Sequence, residues 1–386
     1  MKSQRAFRFL FGLLVTVTLT TAAWAGNLFS KPIDSPVGSW VRGVASGDFD
    51  GDGNPDLAVT NFSSDDTRPG QLKILLSRKS GHFRKMLGNK AGRTPFSVAI
   101  GDLNNDGKLD AVVVNPYAPG KGNLSVFFGN GDGTFQPQVK RGDTKHIADT
   151  VVMGDFNGDG NLDLALTNER SRHNDGFVSV LLGNGNGTFQ APITTATSQN
   201  PANLVAGDLN GDGKLDLIVS DYTTGGKQGG TFVLLGNGNG TFQVSFLERP
   251  GSKSIALGDF NGDGIPDLAE ASGGGKVAIE LGNGDGTFKP ARHFSAGVVL
   301  SCVTLADFDQ DGRLDVAVVN DDRGDVVEFL PGKGDGRLDA PTSYPLNWSN
   351  IGQMIAADVN GDGKLDLILT NYGNGSVSVL LNTGKK

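Results

Sequence analysis

An all-β fold, a seven-bladed β-propeller of four-stranded antiparallel blades, is predicted by three observations. An acidic nonapeptide, D-x-[DN]-x-D-G-x-x-D, occurs seven times in the 386 residues. Its copies start 54, 53, 53, 51, 48 and 51 residues apart, and a regular period near this length marks a repeat architecture. Each repeat carries short runs of Val, Leu and Ile bounded by Gly, Asn and Asp, which read as strands. No segment holds a 3.6-residue apolar period with caps, so almost no helix is expected.

In chain order, residues 1–25 belong to targeting. Lys2, Arg5 and Arg8 form a basic start, Phe9 to Leu19 an apolar run, and Ala23-Trp24-Ala25 a small-x-small cleavage pattern. The run is short for a membrane anchor, so the segment reads as a cleavable signal peptide. The protein is then expected outside the cytoplasm, extracellular or periplasmic, with no membrane span in the mature chain. Residues 26–386 read as a single propeller domain, a monomer. Cys302 is the one cysteine, so no internal disulfide forms; its apolar neighbours suggest a small buried hydrophobe.

Each repeat has the same parts. An apolar run ends in Gly-Asp or Ala-Asp, as in Leu204 to Asp208, and the acidic loop follows. Leu162 to Asn168 typifies the second run. Val178 to Phe189 contains the third and its Gly-rich turn, and Phe189 to Thr194 the weaker fourth. Such strands repeated radially make a propeller. The N-terminal Phe29 to Ile33 (FSKPI) matches the fourth-strand segment Phe189 to Ile193 (FQAPI), while the chain stops after a third strand near Leu381. The N-terminal strand is therefore expected to join the last blade and close the ring, leaving no open edge.

The acidic loops concentrate charge. They hold 23 of the 42 Asp and Glu residues in a chain of net charge −8. That argues against nucleic acid as a partner, which needs a basic face. Position one is Asp48, Asp102, Asp155, Asp208, Asp259, Asp307 or Asp358. Position three is Asp50, Asn104, Asn157, Asn210, Asn261, Asp309 or Asn360. Position five is Asp52, Asp106, Asp159, Asp212, Asp263, Asp311 or Asp362. Position seven, which offers a backbone carbonyl, is Asn54, Lys108, Asn161, Lys214, Ile265, Arg313 or Lys364. Position nine is Asp56, Asp110, Asp163, Asp216, Asp267, Asp315 or Asp366. Oxygens at alternate positions around a tight turn suit Ca²⁺, which takes six to eight of them. Gly at position six permits the bend. Neither Cys nor His enters any loop, so zinc and copper fit poorly. An EF-hand needs an acid at position twelve and flanking helices, whereas six repeats have Val or Leu there. Up to seven structural Ca²⁺ ions are expected, with the loops bearing Asp50 and Asp309 the most strongly charged. The alternative is a turn that uses Asp and Asn for its own amides.

The Phe128-Gly129 step, the Gly-Thr-Phe turns at Gly133 to Phe135 and Gly187 to Phe189, and the acidic loops resemble FG-GAP/VCBS repeats of integrin α-subunits and secreted bacterial proteins. The resemblance implies a seven-bladed propeller with Ca²⁺ between the first and second strands of each blade. It also implies a protein or glycan ligand on the opposite face. That face would draw on Arg68, Tyr117, Lys121, Arg170, Arg172, His173, Tyr222, Lys227, Arg323, Trp348 and Tyr372.

The function expected is a non-enzymatic binding or adhesion module. A polysaccharide lyase or hydrolase is the alternative, because folds of this kind host both. Two tripeptides, Arg141-Gly142-Asp143 and Arg323-Gly324-Asp325, spell RGD, which a chain rich in Gly and Asp also produces by chance. Blade five is irregular: Glu270 and Glu280 stand where other repeats are apolar. Two carboxylates can do acid/base work; a Glu270–Lys276 cross-strand pair is the expected reading. His82, His146, His173 and His293 hold no recurring position.

Overall fold

The computed structural model describes residues 27–62, 69–116, 124–141, 147–169, 176–197, 200–221, 229–249, 251–322, 325–346, 348 and 350–384. They form seven four-stranded antiparallel sheets and, among the described residues, no helix. Blade three shows the pattern: Ile147–Gly154, Asp163–Glu169, Phe177–Leu181 and Ile193–Ala196, joined in that order. The seven-bladed β-propeller expected from the repeats is the fold observed. The signal peptide expected at 1–25 lies outside the described residues.

Why the second strands are apolar throughout follows from the packing. Alternate side chains point to opposite faces of a strand, and each blade has a neighbour on both sides. Leu57, Val59 and Leu75 of blade one pack against Ile368 and Val379 of blade seven. Ala58 and Ile74 turn the other way, onto Ala111, Val113 and Phe127 of blade two. Fourth strands lie at the outer edge and are largely exposed, as in Phe83–Lys90.

The ring closes as expected. Ile33–Pro36 pairs with Ser376–Leu380, Ile33 lying opposite Val379. Phe29 bridges Asn382 as Phe189 bridges Gly183 in blade three. Its ring is fully buried, edge-on to Phe308, Phe329 and Tyr344 at centroid distances of 5.4, 5.8 and 5.3 Å.

First strands line the axis. In blades one, three, four, six and seven they shift register near their start. Irregular pairing of this kind frees backbone amides that need other acceptors. Second-strand hydroxyls supply them: Thr60 Oγ1 accepts from Gly43 at 2.8 Å, Thr167 from Thr150 at 3.1 Å and Thr370 from Gln353 at 2.9 Å. Thr60 then donates to Phe96 O of the next blade at 3.0 Å, and Thr370 to Arg42 O at 2.6 Å. The axis is thus stitched from blade to blade, and Arg42 is fixed at its mouth.

Candidate metal centres

Each acidic loop joins the first strand of a blade to its second, so all seven lie on one face. The position-one carboxylate organises the turn. Asp155 Oδ1 accepts from Gly158 at 2.7 Å and Asp159 at 3.1 Å, and Oδ2 from Gly160 at 2.8 Å. Asn157 Oδ1 accepts from the Asp159 amide at 2.9 Å, and Asp159 Oδ1 from the Asn161 amide at 2.8 Å. These bonds, most of them to charged carboxylates, wind the chain into a tight turn around the position-one side chain. The position-six glycines all have φ between 80° and 83°. Nothing lies within 4 Å of a Cβ added there, so backbone conformation rather than space demands glycine.

Position nine has a different job. All seven of these aspartates are fully buried. Asp163 Oδ2 accepts from Phe156 N at 2.8 Å, and Oδ1 from Gly183 N, beyond the third strand, at 2.7 Å. Asp56, Asp110, Asp216, Asp267, Asp315 and Asp366 repeat the double bond. Burial pushes these carboxyls up, Asp56, Asp110 and Asp315 to about 6 and Asp366 to about 7, against the opposing pull of the amides. A carboxylate oxygen has two lone-pair directions, so one amide on each leaves room for a cation.

The loops are also seams. The amides of Gly133, Gly187, Gly240, Gly286 and Gly336 donate to the position-two carbonyl of the preceding blade's loop. Asn382 Nδ2 does the same to Phe308 O at 2.7 Å. At position four, Asn105 and Gln310 adopt φ of 59° and 58° where the other loops have Gly. They reach the neighbouring loops, Asn105 to Asn161 Oδ1 and Gln310 to Gly363 O, both at 3.0 Å.

Three carboxylates converge at two loops, Asp48, Asp50 and Asp56 in blade one and Asp307, Asp309 and Asp315 in blade six, each with oxygens within 4.8 Å of one another. These are the loops with Asp at position three. Their donor set is entirely oxygen, and Asp50 Oδ1 is buried with no hydrogen-bond partner, so the residues present fit a hard divalent cation. Arg84 reaches in from the fourth strand onto Asp50 Oδ2 and onto Asp52 Oδ2, the latter at 2.9 Å. Lys214, Arg313 and Lys364 contact the position-five carboxylate of their own loops. Arg84 could not be placed from sequence, since it lies outside the motif and meets it only through the sheet.

Blade five requires a correction. Glu270 pairs not with Lys276 but with Arg249, which enters from the loop before the blade. Arg249 Nη1 lies 3.5 Å from Glu270 Oε2 and also contacts Glu280 Oε1. Thr231 donates to Glu270 Oε1 at 2.8 Å. Both glutamates are buried. Burial pushes the Glu280 carboxyl up, opposed by Arg249. Two acids on one face of an apolar hairpin signal a missing cation; the sequence does not say which. Cys302 is likewise less enclosed than expected: it lines a cavity on the propeller axis, and desolvation pushes its thiol up to about 11.

Of the residues expected on the opposite face, Trp348 and Tyr372 are described. Trp348 Nε1 donates to Asp34 Oδ2 at 2.7 Å. Tyr372 stacks on Trp40, centroids 5.8 Å apart. Arg68, Tyr117, Lys121, Arg170, Arg172, His173, Tyr222, Lys227 and Arg323 lie outside the described residues, as do Gly142, Asp143 and Gly324 of the RGD tripeptides. Asp325 is described and buried. No helix of the described residues is long and apolar enough to cross a membrane.

Known proteins share this pattern. The family described as FG-GAP-like repeat matches residues 102–166, 155–219, 220–270, 259–318 and 307–369, and that described as FG-GAP repeat matches 40–75. Human T-cell immunomodulatory protein is 27% identical over 243 residues, covering 59% of this chain and 37% of the relative. Integrin alpha pat-2 of Caenorhabditis elegans is 26% identical over 252 residues, covering 58% and 17%. The chain therefore spans little more than a third of the first relative and about a sixth of the second. A crystal structure of BBS1N in complex with ARL6DN superposes with a TM-score of 0.60 at 11% identity, covering 93% of this chain and 98% of that one; at that identity the likeness concerns the fold.

Proposed function

Since this chain belongs to the FG-GAP-like repeat family, we propose that it is an exported, monomeric, Ca²⁺-stabilised propeller that binds a protein or glycan ligand on the face opposite the acidic loops. The observation that carries this reading is the repetition of one loop seven times on one face. A catalytic centre is single, whereas a staple is used once per blade. In each loop the side chains at positions one, three, five and nine and the carbonyl at position seven would hold the ion. When bound, Ca²⁺ supplies positive charge that offsets the mutual repulsion of the loop carboxylates, about 1–4 kcal/mol for a pair some 4 Å apart near a surface. The chain's own residues hold the loop in shape and tie it to the next blade. Residues 1–25 serve as the export signal, which N-terminal sequencing of the exported protein checks by a start at residue 26.

Binding rather than turnover is favoured by blade five. Its two glutamates, the chain's best acid/base candidates, are enclosed between blades and clamped on Arg249. The test is a glycan array and a panel of immobilised surface proteins, probed with purified protein with Ca²⁺ and with chelator. Ca²⁺-dependent retention on a discrete set of ligands is expected. Depolymerisation of a polysaccharide by the purified protein would sink the binding-only reading.

A further inference from the structure

The axial cavity gathers an excess of positive charge in this acidic chain. It has a volume of about 340 Å³ and opens between the starts of the first strands, towards the face opposite the loops. Two cations, Arg42 and Lys253, and one acid, Asp149, line it, with Asn203, Ser301 and Gln353 among the polar groups. The chain as a whole carries −8, so one net positive charge here is a local inversion.

Arg42 is built in as a fixed charge. Its guanidinium lies 4.3 Å from the Phe96 ring centroid and 4.6 Å from that of Tyr372. Tyr372 is backed by Trp40, whose planes differ by 15°, and Trp40 is edge-on to Phe62 at 4.9 Å. Trp40 holds a φ of 48°, a conformation that costs a non-glycine residue energy and that clusters at functional sites. Rings on either side orient a guanidinium and lower the entropy lost when it binds. Yet Arg42 Nε is buried without a hydrogen-bond partner. Buried donors left unsatisfied are costly and mark a missing acceptor.

We propose that this cavity binds the carboxylate of a sugar acid, with Arg42 as the anion-binding residue and the surrounding amides and hydroxyls meeting the sugar's own hydroxyls. The inference rests on the reading of this face as the ligand-binding one. A cavity of this size is at the lower end for small-molecule sites, roughly 300–1,000 Å³, so it takes one sugar unit rather than a folded partner. Its polar lining favours a hydroxylated ligand over an apolar acid.

The test is calorimetric titration of the full exported protein with glucuronate, glucose and acetate. Glucuronate is expected to bind, with glucose and acetate each weaker by about tenfold or more, the worth of a hydrogen bond to a charged group. Arg42→Gln should abolish the preference for glucuronate over glucose. Because Arg42 also packs between rings, Asn203→Asp serves as a second variant: it keeps the side-chain volume, adds a negative charge to the lining, and should weaken glucuronate alone. Melting curves check that both variants fold. The proposal is overturned if glucuronate does not bind at millimolar concentration, if acetate matches it, if folded Arg42→Gln binds it unchanged, or if an acidic peptide binds and glucuronate does not. Retention on array ligands that persists in Arg42→Gln would sink this site and leave the wider binding role standing. Glucuronate binding without any array ligand would do the reverse.

Discussion

On the loop face, seven aspartates from Asp56 to Asp366 are equally buried, and each accepts an amide on both oxygens. On the opposite face the same strands end in turns that share little. One stacks Trp40 on Tyr372, whose ring flanks Arg42, another ties Trp348 to Asp34, and a third sends Arg249 between two glutamates. The first face repeats because each blade must solve the same problem, turning the chain tightly while meeting its neighbour. The second is free to differ, because its turns carry no such common task. Repetition here signals architecture, and irregularity signals where a ligand can be recognised.

The largest expected effect comes from stripping the loop face of the ions proposed for it. A site at ten times its dissociation constant adds about 1.4 kcal/mol by linkage, so seven add on the order of 10 kcal/mol, comparable to a domain's whole stability. Chelation should lower the melting temperature steeply; an unchanged melt would remove calcium from the account.

Within a loop, Asp163→Ala leaves the Phe156 and Gly183 amides buried and unpaired. At about 1–3 kcal/mol for each lost partner, denaturant titration should show a loss of about 2–6 kcal/mol even in chelator. Asp159→Ala, in an exposed part of the loop, should matter only when calcium is present. Equal losses from the two in chelator would erase the distinction between lock and ligand.

On the irregular side, Arg249→Ala strands Glu270 and Glu280 without their cation. Breaking a buried pair typically costs about 3–5 kcal/mol. Partial recovery in Arg249→Ala/Glu270→Gln/Glu280→Gln is expected. No loss at all in the single variant would mean the clamp is idle.

The last effect is in pH. Burial holds Asp366 at about 7 and Asp56, Asp110 and Asp315 at about 6. A carboxyl whose folded pKa lies above its unfolded value, about 4, stabilises fully below the unfolded value and loses that contribution as pH rises through the folded one. Chelated protein should therefore gain stability between pH 8 and pH 5, whereas calcium-loaded protein should lose it as protons displace the ion. Parallel profiles in denaturant melts would show that these carboxyls do not govern the metal.

The repeats and the terminal match told the sequence reader the blade number, the strand order and the closure by Ile33–Pro36. Periodicity of apolar residues and glycine turn chemistry are local, and a repeat multiplies each signal seven times. The nine-residue motif likewise named the loop oxygens. It did not separate position nine from the others, because the amides that Asp163 accepts come from both ends of its blade. Arg249 between two glutamates, Arg84 on a loop two strands away, and Arg42 held by rings from blades two and seven were decided by tertiary structure alone. Each depends on residues distant in the chain, whose meeting is fixed only when the ring has closed and every blade has a neighbour.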